Sequence, residues 1–164
     1  MTEWKLPPKA KAYEALGAVA DGRVHLAGPT EAQVTSSTGD RVYTVSWTAD
    51  GSQFTSNDHA SYWQGYAGYP IIAVLLATGV IHYDPDVAQA LAGVPWKQVN
   101  DRHRRDYDAA VEEVLCGVAE GGGDRAAVAA QAEDVYRQLA ALKLQRGPRR
   151  RPPKRIEGGQ RDDL

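Results

Sequence analysis

The chain has 164 residues, 43% of them apolar, and a formal net charge of −2, which is one domain's worth of sequence with enough apolar material for a core. Its longest apolar run, residues 71–77, is far short of the ~20 residues that cross a bilayer, and its single cysteine, Cys116, excludes an internal disulfide. The opening residues carry no basic-then-apolar leader, so a cytoplasmic protein without membrane contact is expected.

Pro7-Pro8 opens a helix over 9–20, with Tyr13, Leu16, Val19 and Ala20 at helical spacing and Asp21-Gly22 as its stop. A short strand follows at 23–27. Segments 32–36, 41–48 and 52–55 read as three antiparallel strands, with Tyr43, Val45 and Trp47 on one face. Thr38-Gly39-Asp40 and Ala49-Asp50-Gly51 supply the hairpin turns. Ser56-Asn57-Asp58 reads as a helix cap. Between Pro70 and Gly79 lies a helix apolar on every side, which marks it as buried. A short helix is expected at 86–92, an amphipathic one at 104–118, and a last one after Asp124 with Val128, Val135, Leu139 and Leu142 on one stripe. The last two, joined at Gly121-Gly122-Gly123, predict an antiparallel helical hairpin. The expected fold is α+β, a small antiparallel β-meander packed on a buried central helix. Its parts are an α+β domain over 1–100, the hairpin over 101–145, and a basic disordered tail over 146–164.

The order of hairpin, turn and core helix over 34–77 resembles a SWIM-type zinc finger. In that family a hairpin ends in Cys-x-Cys and a Cys-x-His opens an apolar helix. On that pattern Phe54 and Ser56 stand at the first two ligand positions, and Tyr69 and Ile71 at the last two. Phenylalanine and isoleucine offer zinc no lone pair, so packing would replace the metal, with Phe54 and Tyr69 filling its space. The resemblance implies a DNA-binding or protein-interaction module without metal or cofactor.

Two features carry functional expectations. Tyr62, Trp63, Tyr66 and Tyr69, with Gly65 and Gly68 between them, suit either core packing or stacking on bases or a protein partner. Residues 145–164 hold seven cations against three anions, a net +4 that leaves −6 on residues 1–144. Arg149, Arg150, Arg151, Lys154 and Arg155 crowd five cations into seven positions, which could hold nucleic acid by counterion release or serve only to solubilise. The leading expectation is a non-enzymatic nucleic-acid-binding module, single-stranded or non-specific. The alternatives are an adaptor in a bacterial complex, docking through 104–145, and a small hydrolase built on Ser56, Asp58 and His59. For the hydrolase no Gly-x-Ser-x-Gly elbow is present, and the bland reading is a capping network with His59 exposed. His25, His59, His82, His103 and Cys116 have no metal-ligand spacing, and Lys97, Arg102, Arg104 and Arg105 read as a solvated helix start.

Overall fold

The computed structural model describes residues 2–156. Its elements run in the order α1 (Ala10–Ala20), β1 (Val24–Gly28), β2 (Glu31–Thr35), β3 (Val42–Trp47), β4 (Gln53–Ser56), α2 (His59–Gln64), α3 (Tyr69–Ala77), α4 (Pro85–Ala88), α5 (Trp96–Arg102), α6 (Tyr107–Glu120), α7 (Arg125–Leu142) and β5 (Gln145–Arg146), with a 3-10 turn at Gln89–Leu91. Strands β1 to β4 form an antiparallel meander, and β5 joins its edge parallel to β4, Gln53 opposite Gln145.

The alternation in β2 and β3 turns Ala32, Val34, Tyr43 and Val45 inward. Helix α3, buried from Pro70 to Leu76, packs on all four meander strands and, on its other side, on α1. Ala12, Ala15 and Ala18 of α1 are fully buried, and their small side chains let the two helices approach closely. Helices α6 and α7 form the hairpin and pack on α1, adding Val114, Leu115, Val128, Val135 and Leu139 to the same core. The fold is therefore α+β, a meander on a buried helix with a C-terminal helical hairpin. Four helices begin at aspartates that accept a backbone N–H: Asp58 from Ser61, Asp84 from Asp86, Asp106 from Ala109 and Asp124 from Ala127. No helix among the described residues is long and apolar enough to cross a membrane.

The structure departs from the sequence expectations in three places. Residues 96–102 form α5, and the expected helix start at 104 moves to 107, where Asp106 caps it. Residues 145–146 are a strand, and where composition gives a disordered tail, the described part of that segment follows the surface. Gly147 N–H donates to the Phe54 carbonyl, Arg149 reaches the Tyr62 carbonyl at 3.1 Å, and Arg155 meets Asp40 at 3.0 Å. Residues 157–164 lie outside the described residues. Third, Phe54 and Tyr69 make separate aromatic pairs. Phe54 stacks on Trp47 at 5.5 Å, and Tyr69 meets Tyr43 edge-on at 6.4 Å. Ile71 is fully buried and Ser56 is 3% exposed. The tie between sheet and α3 at this point is Tyr43 on Tyr69.

Candidate functional site

A cleft of about 730 Å³ opens between α1, the β2–β3 hairpin, α2 and α5, within the size range of small-ligand pockets. Its floor is polar. Lys11 and Glu14, one turn apart on α1, form an ion pair at 3.1 Å with side chains only 10% and 6% exposed. Asn100 of α5 donates its amide to Glu14 at 3.3 Å. The Asn100 Oδ1 is buried without a hydrogen-bond partner among the described residues. Burial alone would lower the Lys11 pKa. The Glu14 carboxylate, then the Tyr107 and Tyr66 phenols, outweigh it and leave the pKa above its ordinary value. Lys11 Nζ also lies 4.5 Å from the centre of the Tyr107 ring.

The walls are aromatic. Tyr43 and Tyr69 stand on one side, Tyr66 and Tyr107 on the other, and Trp96 closes the deep end against Tyr13 at 6.4 Å. Burial raises the pKa of Tyr43 and Tyr69, and of Tyr66 to about 12, so these three phenols stay neutral and present hydroxyls rather than charge. The Lys97 backbone N–H donates to Ser37 Oγ at 3.2 Å, tying α5 to the hairpin across the cleft. Toward the mouth stand Arg41, whose Nε is buried and without a hydrogen-bond partner among the described residues, and the exposed Arg105.

Arg105 follows Arg104 through two consecutive left-handed residues, φ +65° and +52°, a conformation costing ~1–2 kcal/mol per non-glycine residue. Such strain gathers where function fixes the backbone, and here it lies in the turn that carries Arg105 to the cleft. Arg104→Gly is expected to raise stability by ~0.5–1 kcal/mol in urea denaturation, because glycine adopts this conformation without a Cβ clash.

The expected site residues divide. Trp63 is 67% exposed and, with Tyr66, lines the cleft. Tyr62 lies beside Trp63, edge-on at 4.8 Å, and carries the Arg149 guanidinium 4.3 Å from its ring centre. Arg155 is held on Asp40, and Arg150, Arg151 and Lys154 follow the same surface segment. Thus Tyr62, Trp63 and Arg149, at the start of the basic segment, form one neighbourhood. Ser56, Asp58 and His59 form the expected capping network, but His59, expected exposed, is half-buried and lines the cleft with Asp58. They form no catalytic relay. The Asp58 carboxylate accepts from Ser56 Oγ at 2.5 Å, Ser61 Oγ at 2.6 Å and Ser61 N–H at 3.1 Å, so both hydroxyls are committed as donors. His59 packs edge-on against Tyr43 at 6.3 Å. Its pKa is lowered by burial first and then by Arg41, which leaves it neutral at pH 7. Among the described residues no group of three or more His, Cys, Asp or Glu could hold a metal ion.

Lys11, Glu14, Asn100 and Arg41 were not among the expected site residues. The available signal was in α1, whose run Ala-Lys-Ala-Tyr-Glu-Ala-Leu-Gly-Ala-Val-Ala has two charges in an otherwise small and apolar helix. No curated protein and no solved structure matches the chain. A family model does match, over residues 4–145, and the chain belongs to that family, described as Uncharacterised conserved protein UCP014422.

Proposed function

We propose that the protein is a non-enzymatic binding module that holds single-stranded nucleic acid at the mouth of this cleft. The observation that carries the reading is Trp63, 67% exposed, beside Tyr62 and the arginine-rich segment. An exposed indole accepts a base of any sequence, and nearby cations hold the phosphates. A concave aromatic mouth suits an unpaired strand, whose bases are free to turn inward, better than a duplex. The face of Tyr62 is covered by Arg149, so Trp63 is the stacking platform and Tyr62 its support. A cytoplasmic location belongs to this proposal too.

Fluorescence anisotropy with labelled single- and double-stranded DNA tests it. Trp63→Ala is expected to weaken single-strand binding about 5- to 150-fold, given ~1–3 kcal/mol per stacked base, without lowering the melting temperature. Converting Arg150, Arg151 and Lys154 to Gln is expected to flatten the salt dependence by about two units of slope. Absence of salt-sensitive binding by the unaltered chain would remove the nucleic-acid reading and leave Trp63 as an anchor for a protein partner.

A further inference from the structure

We propose that the cleft itself is a nucleotide pocket, taking the base inward between the tyrosine walls and leaving the phosphate at the cationic mouth. Its two ends call for opposite chemistry. The floor carries no net charge, because Lys11 and Glu14 neutralise each other, so it offers an anion nothing. Two buried polar atoms at this end have no partner among the described residues, the Trp96 Nε1 donor and the Asn100 Oδ1 acceptor, and a base edge, which carries both N–H groups and acceptors, is suited to such a pair. Asn100 is 8% exposed, its amide nitrogen is committed to Glu14, and its Oδ1 has no partner among the described residues. A buried acceptor left in that state is costly, and an N–H on the deep edge of a ligand satisfies it.

At the mouth Lys97 and Asp101 pair with each other at 2.7 Å, which leaves two arginines without a counter-charge. Arg41 and Arg105 take part in no ion pair among the described residues, and the Arg41 Nε is buried and unmatched. Between the two ends the surface is made of tyrosine rings, which favour a planar group. A ligand with N–H donors and acceptors on a flat ring at one end and a doubly charged oxyanion at the other meets all three requirements. A nucleoside monophosphate is that ligand. Inorganic phosphate would leave the floor unmatched, and an uncharged heterocycle would leave the mouth unmatched. The cleft residues named here all lie within 4–145, the span of the family match, whereas the arginine-rich segment lies outside it. The pocket therefore does not depend on the arginine-rich segment. The same base-plus-phosphate chemistry can arrive as a free nucleotide or as one unit of a strand.

The test is calorimetric titration of the full chain with AMP, GMP, CMP and UMP, their nucleosides, ribose 5-phosphate, and a trinucleotide of the best base. At least one monophosphate is expected to bind about tenfold tighter than both its nucleoside and ribose 5-phosphate. Arg105→Gln, an exposed site that leaves the fold intact, is expected to cost that nucleotide about tenfold while leaving its nucleoside unchanged. Asn100→Ala, with folding checked by circular dichroism, is expected to weaken nucleotide and nucleoside alike. Ribose 5-phosphate binding as well as the nucleotides would overturn the proposal in favour of a simple anion site, and so would no binding of any monophosphate at about 1 mM. A trinucleotide bound far tighter than the monophosphate identifies a strand as the source, and equal affinities identify the free nucleotide. Both results keep the pocket, and only the first keeps the strand reading.

Discussion

Asp58→Ala is expected to lower the stability of the fold by about 3–5 kcal/mol, a drop of about 10 °C in melting temperature for a chain of this size. The carboxylate is 4% exposed and is the shared acceptor of Ser56 Oγ, Ser61 Oγ and Ser61 N–H. Truncation strands three buried donors and removes the cap of α2. The same network explains Gly68. Its φ of −71° is ordinary, so no backbone freedom is needed there. A Cβ would stand 2.1 Å from Asp58 Oδ2 and 2.8 Å from its Cγ. Gly68→Ala must therefore push the carboxylate off its donors and is expected to cost nearly as much as losing it. In the Asp58→Ala background the clash disappears and the Gly68→Ala cost should fall to about 1 kcal/mol or less, the non-additivity of coupled sites. Thermal melts of the two single variants and the double variant check this, and additive costs would contradict it.

Lys11→Met is expected to destabilise by about 3–5 kcal/mol, because it leaves Glu14 as a buried charge with only the Asn100 amide beside it. Replacing both members by apolar residues of similar size, Lys11→Met with Glu14→Leu, should recover most of that loss. The double variant should still lose its ligand, since Asn100 then loses its own support. The pH dependence has a definite sign. Lys11 has a folded pKa above its unfolded value of about 10.5, so its contribution is fully present below that value and is lost as pH rises through the higher folded value. Chemical denaturation at pH 7 and at pH 11 should show the unaltered chain losing stability that the double variant keeps. Equal losses in both would place the alkaline sensitivity elsewhere.

The parts of the fold that were legible in the sequence are those whose pattern is local. Tyr43, Val45 and Trp47 alternate within one strand, and α3 is apolar on every side, so meander and buried helix can be read without knowing their neighbours. Helix α5 was not legible, because seven residues between Pro95 and the turn at His103 hold too little of a helical period to stand out. Strand β5 has two residues and exists only because β4 offers an open edge. The cleft is harder still. Lys11, Arg41, Asp58 and Asn100 come from four separate parts of the chain, and only tertiary contact brings them together. Trp63 and Tyr66 were found because aromatic side chains separated by glycines stand out in one stretch. Lys11 and Glu14 look like an ordinary solvent-facing pair until both faces of α1 are seen to be covered. The arginine-rich segment was legible as charge but not as position. Arginine also packs, and Arg146 and Arg149 lie over the rings of Trp4 and Tyr62 at 5.0 and 4.3 Å.

The pairing at the meander's edge also sets how the molecule would carry load. Glu3 bridges Gln145 in antiparallel sense, with Trp4 N–H donating to Leu144 at 2.9 Å and Arg146 N–H to Thr2 at 2.7 Å. Thr2 and Arg146 are thus the free end of a short two-stranded zipper. A pull applied between them opens its hydrogen bonds one after another instead of shearing them together. That seam would part at low force, and beyond it only the β4–β5 edge, where Phe54 pairs with Arg146, would take load while α1 and α3 stay unloaded, so the molecule would behave under tension as a tight knot closed by a weak clasp.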